Sequence, residues 1–423
     1  MRLGRVASVA GSRLGAILAL FVLCGCTSTV DSLGYDEVAS GGGGGGLRPL
    51  DRPGSYPNPF RDVLGKSQTE IDSKIDTAFR LLFHGTPENE AVYFPMGTDQ
   101  ALIRDILHND VRSEGVGFGM MITVELNRRD EFDRLWRYAK TSMRADGAND
   151  GYYTSLCDNV DGLTSVECID PFGMEQFAMA LIFAHGRWKS DGAIDYAVDA
   201  LELLDVMRNK EQQNGGIVDG VTNVFDTNTK LVFHEPKVTA SSFTRPSIEI
   251  PAYYALWAQA TGDAFWSQVA DAARAYTTRV AHPTTGLVPV RAYLDGQPVT
   301  GSGWDAFRHE AYRTELNLAL DGIWFGTDPW VFEEGDRLIG FFAGQGDPYG
   351  KAFTLDGAVL DSMPETALVA ANGAAAAIAT RSERRGFIQA VWDMPVPSGP
   401  ARYYAGMLHL LSLLVLGGRF QVY

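Results

Sequence analysis

The sequence predicts an all-α protein, a ring of about twelve helices paired into six hairpins. Three observations carry this. Apolar residues recur with helical period in about twelve segments of the 423-residue chain. The alternation a half-buried strand needs is confined to short pieces such as "LVPVRAYLDG" (287–296). Two segments, "GMEQFAMALIFAHGRW" and "MLHLLSLLVLGG", are apolar on most faces, as the inner helices of a ring must be.

In chain order the periodic segments run 67–84, 113–127, 129–143, 173–187, 192–210 and 247–261. They continue at 263–280, 304–325, 328–344, 365–382, 384–392 and 400–417. Gly115, Gly117 and Gly119 lack the spacing of a dinucleotide-binding loop and no strand precedes them, so they read as close-packing positions. A hydrophobic content of 45% allows one large domain. The axial ends of its inner helices and the connecting loops then supply a cleft.

Ahead of the helices, "MRLGRVASVAGSRLGAILALFVLCGCTSTVDS" carries three arginines, an apolar run from Leu14 to Phe21, and then small residues. That is an export signal, too short to span a membrane. Its end, Leu23-Cys24-Gly25-Cys26, resembles a bacterial lipobox: residues 1–25 are the expected signal peptide and Cys26 the lipidated mature N-terminus. Simple secretion with cleavage nearby is the alternative. Residues 26–64, with "SGGGGGGLRPLDRPGSYPNPF", read as a flexible Gly/Pro-rich tether, and 65–423 as the folded domain. The layout predicts a monomer in the bacterial cell envelope, touching the outer membrane through its lipid alone, on the periplasmic or the surface side.

With Cys24 in the signal and Cys26 lipidated, Cys157 and Cys168 remain, either as a disulfide in an exported protein or as two reduced apolar side chains. The formal charge is −16, and loss of Arg2, Arg5 and Arg13 with the signal takes it to −19. Such a surface repels nucleic acid. No metal or cofactor site is expected. "HEAYR" (His309 to Arg313) puts an arginine where a second zinc ligand belongs, the acidic cluster "DNVDGLTSVE" lacks the positions of a calcium loop, and there is no nucleophilic serine elbow. Carboxylates are the remaining chemistry. "NDVRSEGVGFGM" (109–120) places Glu114 at a helix start, where an ordinary acidic residue of a first turn would also sit.

The segment "FPMGTDQALIRDILHNDVRSEGVGFGMMITVELNRRDEFDRLWRYAK" resembles glycoside hydrolase family 8, particularly its oligoxylanase and xylanase branch, where an S-E-G at a helix start carries the proton donor. "GMEQFAMALIFAHGRW", "FWSQVADAARAY", "TTGLVPVRAYLDG", "EAYRTELNLALDGIWF" and "ARYYAGMLHLLSLLVLGGRF" follow in the family's order, so the resemblance runs from about residue 65 to the C-terminus. It implies an (α/α)6 barrel and an inverting glycosidase. One carboxylic acid then protonates the leaving oxygen while a carboxylate about 6.5 to 9.5 Å away deprotonates water on the opposite sugar face. Glu114 matches the acid. Its pKa must be raised, which burial beside Phe118 and Met120 would do and a helix N-terminus would oppose.

For the base, related sequences carry D-[AS]-x-R-x-x-x-N-x-x-x-D, and here the register reads Glu310-Ala311-Tyr312-Arg313, then Asn317 and Asp321. The resemblance thus assigns Glu310 as base, one methylene longer and displaced by roughly 1 Å. Asp305 in "GSGWDAFRHE" is the rival, and a degenerate site the third reading. Arg313 and Asp321, on one helical face, read as an ion network orienting the base. A further acidic residue of relatives is replaced by Phe172 in "CIDPFGMEQF", where Asp170 or Glu175 could take over; Asp170 as N-cap before Pro171 accounts for it equally. Tyr152, Tyr153, Trp304, Phe307 and Tyr312 are candidate aromatic platforms for sugar rings, and Asp170, Asp305 and Arg313 candidate polar contacts. Ser155 and Pro364 stand where related exo-acting members carry tryptophan and histidine. The expected function is inverting hydrolysis of β-1,4-linked oligosaccharides, xylo-oligosaccharides first. A β-glucan or cellulose endoglucanase, or a catalytically weakened carbohydrate-binding lipoprotein, are the alternatives.

Overall fold

The computed structural model describes residues 46–158 and 165–423, without the side chains of 156–158 and 165–167. The signal segment, Cys26, the glycine run through Gly45, most of the acidic cluster and the Cys157 side chain lie outside this description.

Thirteen α-helices form among the described residues. A short α1 (Pro59–Asp62) precedes α2 (Gln68–His84), α3 (Ser113–Glu125), α4 (Arg129–Tyr138), α5 (Pro171–Trp188), α6 (Tyr196–Gln213) and α7 (Pro251–Thr261). Then come α8 (Ala264–Val280), α9 (Arg313–Trp324), α10 (Pro329–Ala343), α11 (Thr366–Ile378), α12 (Arg384–Asp393) and α13 (Arg402–Leu416). Helices α3, α5, α7, α9, α11 and α13 each contact the next, and α13 returns to α3, closing an inner ring. Nearly every residue of α3, α5, α9, α11 and α13 is buried. The outer helices are half-apolar: α2 buries Ile71, Ile75, Ala78, Phe79, Leu82 and Phe83, one stripe at helical spacing. This is an (α/α)6 barrel, as the periodicity and the resemblance both predicted.

Local chemistry sets the ends. Ser67 and Glu70 form a reciprocal capping box on α2. Asp195, Asp263 and Asp328 cap α6, α8 and α10 through side-chain oxygens, and Pro171, Pro251 and Pro329 occupy first turns. The inner ring closes tightly where side chains vanish: a Cβ on Gly117 of α3 would lie 2.5 Å from the Cβ of Gln176 on α5. The glycines read as packing positions therefore pack.

Three expectations need correction. The segment 304–325 is helical only from Arg313, preceded by a 3-10 turn at His309–Tyr312, because Phe307 exchanges backbone hydrogen bonds with Phe353 and so takes a bridged, extended course. Strand pairing is richer than foreseen: β1 (Tyr93–Met96) pairs β2 (Gln100–Ile103), and β3 (Thr154–Asp158) pairs β4 (Ser165–Ile169). Likewise β5 (Phe243–Thr244) pairs β6 (Ala292–Tyr293), and β7 (Ala352–Phe353) pairs β8 (Val359–Asp361), all antiparallel hairpins or clips in the loops between helices. Finally, the packed chain begins before residue 65. Leu50 and Phe60 are buried in the core, Arg48 N–H donates to the Ala260 carbonyl at 2.7 Å, and Phe60 meets Trp392 edge-on at 5.0 Å.

Cys168 is disulfide-bonded. The register of β3 and β4 sets Cys168 opposite Ser155 and the Cys157 backbone opposite that of Val166.

Candidate active site

The inner helices present their N-terminal ends to one another at one mouth of the barrel. Glu114 is the second residue of α3, Asp170 the N-cap of α5, Arg313 the first residue of α9, Glu365 the N-cap of α11 and Tyr403 the second residue of α13. Arg245 and Ser247 lie in the turn ahead of α7. Hydrogen bonds join Glu114, Arg313, Ser247 and Tyr403 on one side and Asp170, Arg245 and Glu310 on the other, and the Arg313–Glu310 ion pair links the two sets.

Arg313 is its centre. With its side chain only 1% exposed, it donates through Nη1 to Oε2 of Glu114 and stands 3.5 Å through Nη2 from Oε2 of Glu310. Its guanidinium lies 4.2 Å over the ring of Phe172 and also reaches Ser247 Oγ at 3.3 Å. The two carboxyls that sequence separates by 196 positions thus flank a single planar cation. Glu114 keeps 13% of its side chain exposed and accepts from Tyr403 OH at 2.9 Å on its other oxygen. Burial pushes its carboxyl up, against the pull of Arg313 and Arg112 and with help from Asp170 and Glu310. Glu310, 41% exposed, rests on the 3-10 turn and accepts from Arg245 Nη1 at 3.1 Å. Desolvation would raise it, but Arg245 and Arg313 outweigh that and hold it well below the usual carboxylate range.

Arg245 Nη2 donates to Asp170 Oδ1 at 2.6 Å. Asp170 holds the N-cap position of α5 without making a cap hydrogen bond, so its carboxylate serves Arg245 rather than the helix. Glu175, the other substitute, is fully buried and receives Tyr254 OH at 2.7 Å; burial pushes its carboxyl well up, and it stays outside the cluster. Asp321 does not join Arg313 either. Eight residues further along α9 it pairs with Arg274 of α8 at 2.6 Å, because two turns of helix carry it about 12 Å along the axis.

The aromatic candidates divide. Tyr152 is fully buried with its OH on the Thr222 carbonyl at 2.8 Å, and Tyr153 is wedged between Trp136 and Phe177, so both are core residues with no free face. Phe307 is buried against Tyr312 and Phe342. Tyr312 donates to Glu365 at 2.9 Å from a buried position. Trp304 remains half-buried, with the Arg291 guanidinium 3.8 Å over its ring. Asp305 is exposed in the preceding loop and makes no hydrogen bond or ion pair with the described residues. Ser155 accepts the backbone N–H of Ser113 at 3.2 Å and so anchors the start of α3. No group of three metal-ligating side chains occurs among the described residues.

Sequence reading missed Arg245, Tyr403 and His234, whose ring stacks on Phe243 at 4.8 Å and whose protonation burial opposes first and Arg245 and Arg291 oppose after it. A signal existed for the first. A cation at a helix start opposes the macrodipole and favours an anionic neighbour, and Arg112 precedes α3, Arg313 opens α9 and Arg245 precedes the 3-10 turn ahead of α7.

A closed ring of helical hairpins, with acids and guanidiniums gathered at the mouth of its inner helices, is the layout of a glycoside hydrolase. The family model described as glycosyl hydrolases family 8 matches residues 96–418. The reducing-end xylose-releasing exo-oligoxylanase of Paenibacillus barcinonensis is 33% identical over 88% of this chain and 97% of its own length. Endoglucanase 2 of Ruminiclostridium josui is 27% identical over 96% of this chain and 82% of its own. A family 8 xylobiose complex from Teredinibacter turnerae superposes with a TM-score of 0.81 at 34% identity, covering 87% of this chain and 98% of that one. The chain belongs to glycosyl hydrolase family 8, a family of inverting glycosidases.

Proposed function

We propose that this chain hydrolyses β-1,4-linked xylo-oligosaccharides with inversion, Glu114 acting as general acid and Glu310 as general base. The observation that carries the proposal is the Arg313 bridge: one guanidinium touches two partly exposed carboxyls, while burial and charge drive their proton affinities apart. Divergent environments of paired carboxyls are what assign acid and base in glycosidases. A glycosidic oxygen beside Glu114 takes its proton, and water beside Glu310 loses one. Trp304 supports one sugar face at the rim.

The xylan reading draws on similarity. Three exo-oligoxylanase relatives stand at 33%, 32% and 27% identity, and the endoglucanase relatives at 29% or lower. Export through the signal at residues 1–25, lipid anchoring at Cys26 and residence in the cell envelope belong to the same proposal and rest on the sequence motif.

Product analysis on xylo-, cello- and chito-oligosaccharides tests it. Xylotetraose should be cleaved fastest, with the α-anomer appearing first by proton NMR. Glu114→Gln and Glu310→Gln should each abolish most turnover. Faster cleavage of cellotetraose would move the chain to the β-glucan reading, and binding of xylotetraose without turnover to that of a weakened binding protein.

A further inference from the structure

We propose that the Asp170–Arg245 pair is a positioning device that grips Oε2 of Glu310 and so leaves Oε1 as the atom that takes the proton from water. The inference rests on Glu310 being the base. Its geometry is specific. Arg245 Nη1 at 3.1 Å and Arg313 Nη2 at 3.5 Å both address Oε2, and Oε1 receives no hydrogen bond from the described residues. Glu310 is otherwise poorly held: a glutamate side chain has three rotatable bonds, and this one is 41% exposed. It also follows His309, whose φ of +44° is left-handed and whose carbonyl is braced by Tyr404 OH at 3.1 Å.

Arg245, by contrast, is 8% exposed and fixed from the far side by Asp170, itself 7% exposed. Asp170 forgoes the cap bond that an aspartate at this position ordinarily contributes, in favour of Arg245. A side chain that gives up its local partner to hold a distant cation is acting on what that cation holds. One donated hydrogen bond and a second guanidinium beside the same oxygen orient the carboxylate plane and leave the second oxygen unpaired among the described residues.

The step balances. Oε1 of Glu310 accepts a proton of water as the water oxygen attacks the anomeric carbon; the glycosidic C–O bond breaks, its electron pair goes to the leaving oxygen, and that oxygen takes the proton of Glu114. Negative charge passes from Glu310 to Glu114, and Arg313 touches both ends. Arg245 and Asp170 touch neither sugar nor water in this scheme; they act through Glu310.

Glu310 is faced by Arg245 ahead of α7, Arg313 on α9, His234 and Arg291 from the long loops, and Glu114 and Tyr404 from α3 and α13. Its ionisation is therefore the readout. In the full chain, Arg245→Gln should move the acid limb of the kcat/KM profile on xylotetraose to higher pH by about one unit or more. Asp170→Asn, which loosens the clamp but also removes an anion that raises neighbouring carboxyls, should lower kcat on xylotetraose with KM little changed, and Arg245→Lys should return the limb toward the parent. Where Arg245→Gln turns over too slowly, a carbon-13 NMR titration of the Glu310 carboxyl, assigned by its loss in Glu310→Gln, reads the same midpoint. A limb or midpoint unmoved in Arg245→Gln overturns the positioning pair. Full activity in Glu310→Gln rejects the base itself, a separate failure visible without any Arg245 variant.

Discussion

Glu114 and Glu310 show how neighbours decide what one side chain type can do. Both touch Arg313, yet burial dominates the first and two arginines the second. The base works ionised, so activity is lost as pH falls through its lowered value. The acid works protonated, so activity is lost as pH rises through its raised one. A bell-shaped kcat/KM profile should therefore straddle the ordinary glutamate value of about 4.3, and Glu114→Gln should lower turnover by roughly 10² to 10⁴ while removing the alkaline limb. Glu249 offers a residue-scale test of stability. Burial, against donors at Val232 N–H and Thr244, pushes its carboxyl up to about 8. Unfolded, it releases its proton near about 4.3, so its contribution is full below that value and is lost as pH rises through about 8. Glu249→Gln should flatten the fall of Tm from pH 5 to pH 8, measured by circular dichroism; an unchanged slope would reject this account.

Among the elements, α3 shows why composition and packing can oppose each other. Helix propensity alone favours alanine over glycine by roughly 1 kcal/mol. At Gly117 the added methyl would meet Gln176 Cβ at 2.5 Å, an atom tied to the α5 backbone that no rotamer change can withdraw. The clash wins. Gly117→Ala should destabilise the chain by about 1–3 kcal/mol in denaturant titration, despite the better helix former. The glycine pattern was legible as close packing in the sequence because a helix with three alternate glycines can serve little else. The loop elements were not legible. Residues 304–308 carry an apolar spacing that fits a helix, but turns at Trp304 to Ala306 and the bridge between Phe307 and Phe353, distant in sequence, keep them out of one.

Across the whole molecule, the N-terminal approach to the barrel is structural. Six glycines and several prolines read as a tether, but glycine composition says nothing of the Leu50 and Phe60 that follow, and these are buried. Removal of residues 1–45 should leave Tm unchanged, whereas removal through residue 64 should lower it by several degrees, since it uncovers Trp392 and the Leu50 site. Equal melting of the two truncations would return residues 46–64 to the tether.

What the sequence by itself determined was the repeating layout: twelve amphipathic or wholly apolar helical segments, and the S-E-G that starts α3. Periodicity and helix starts are local properties, set by residues a few positions apart. Tertiary structure alone decided which charges meet. Arg313 points to Glu114 and Glu310 instead of Asp321, Asp170 turns from its own helix to Arg245, and Tyr152 and Tyr153 disappear into the core. Closing the ring brings six helix starts to one mouth, and ion pairing there follows distance in space, which no local pattern encodes.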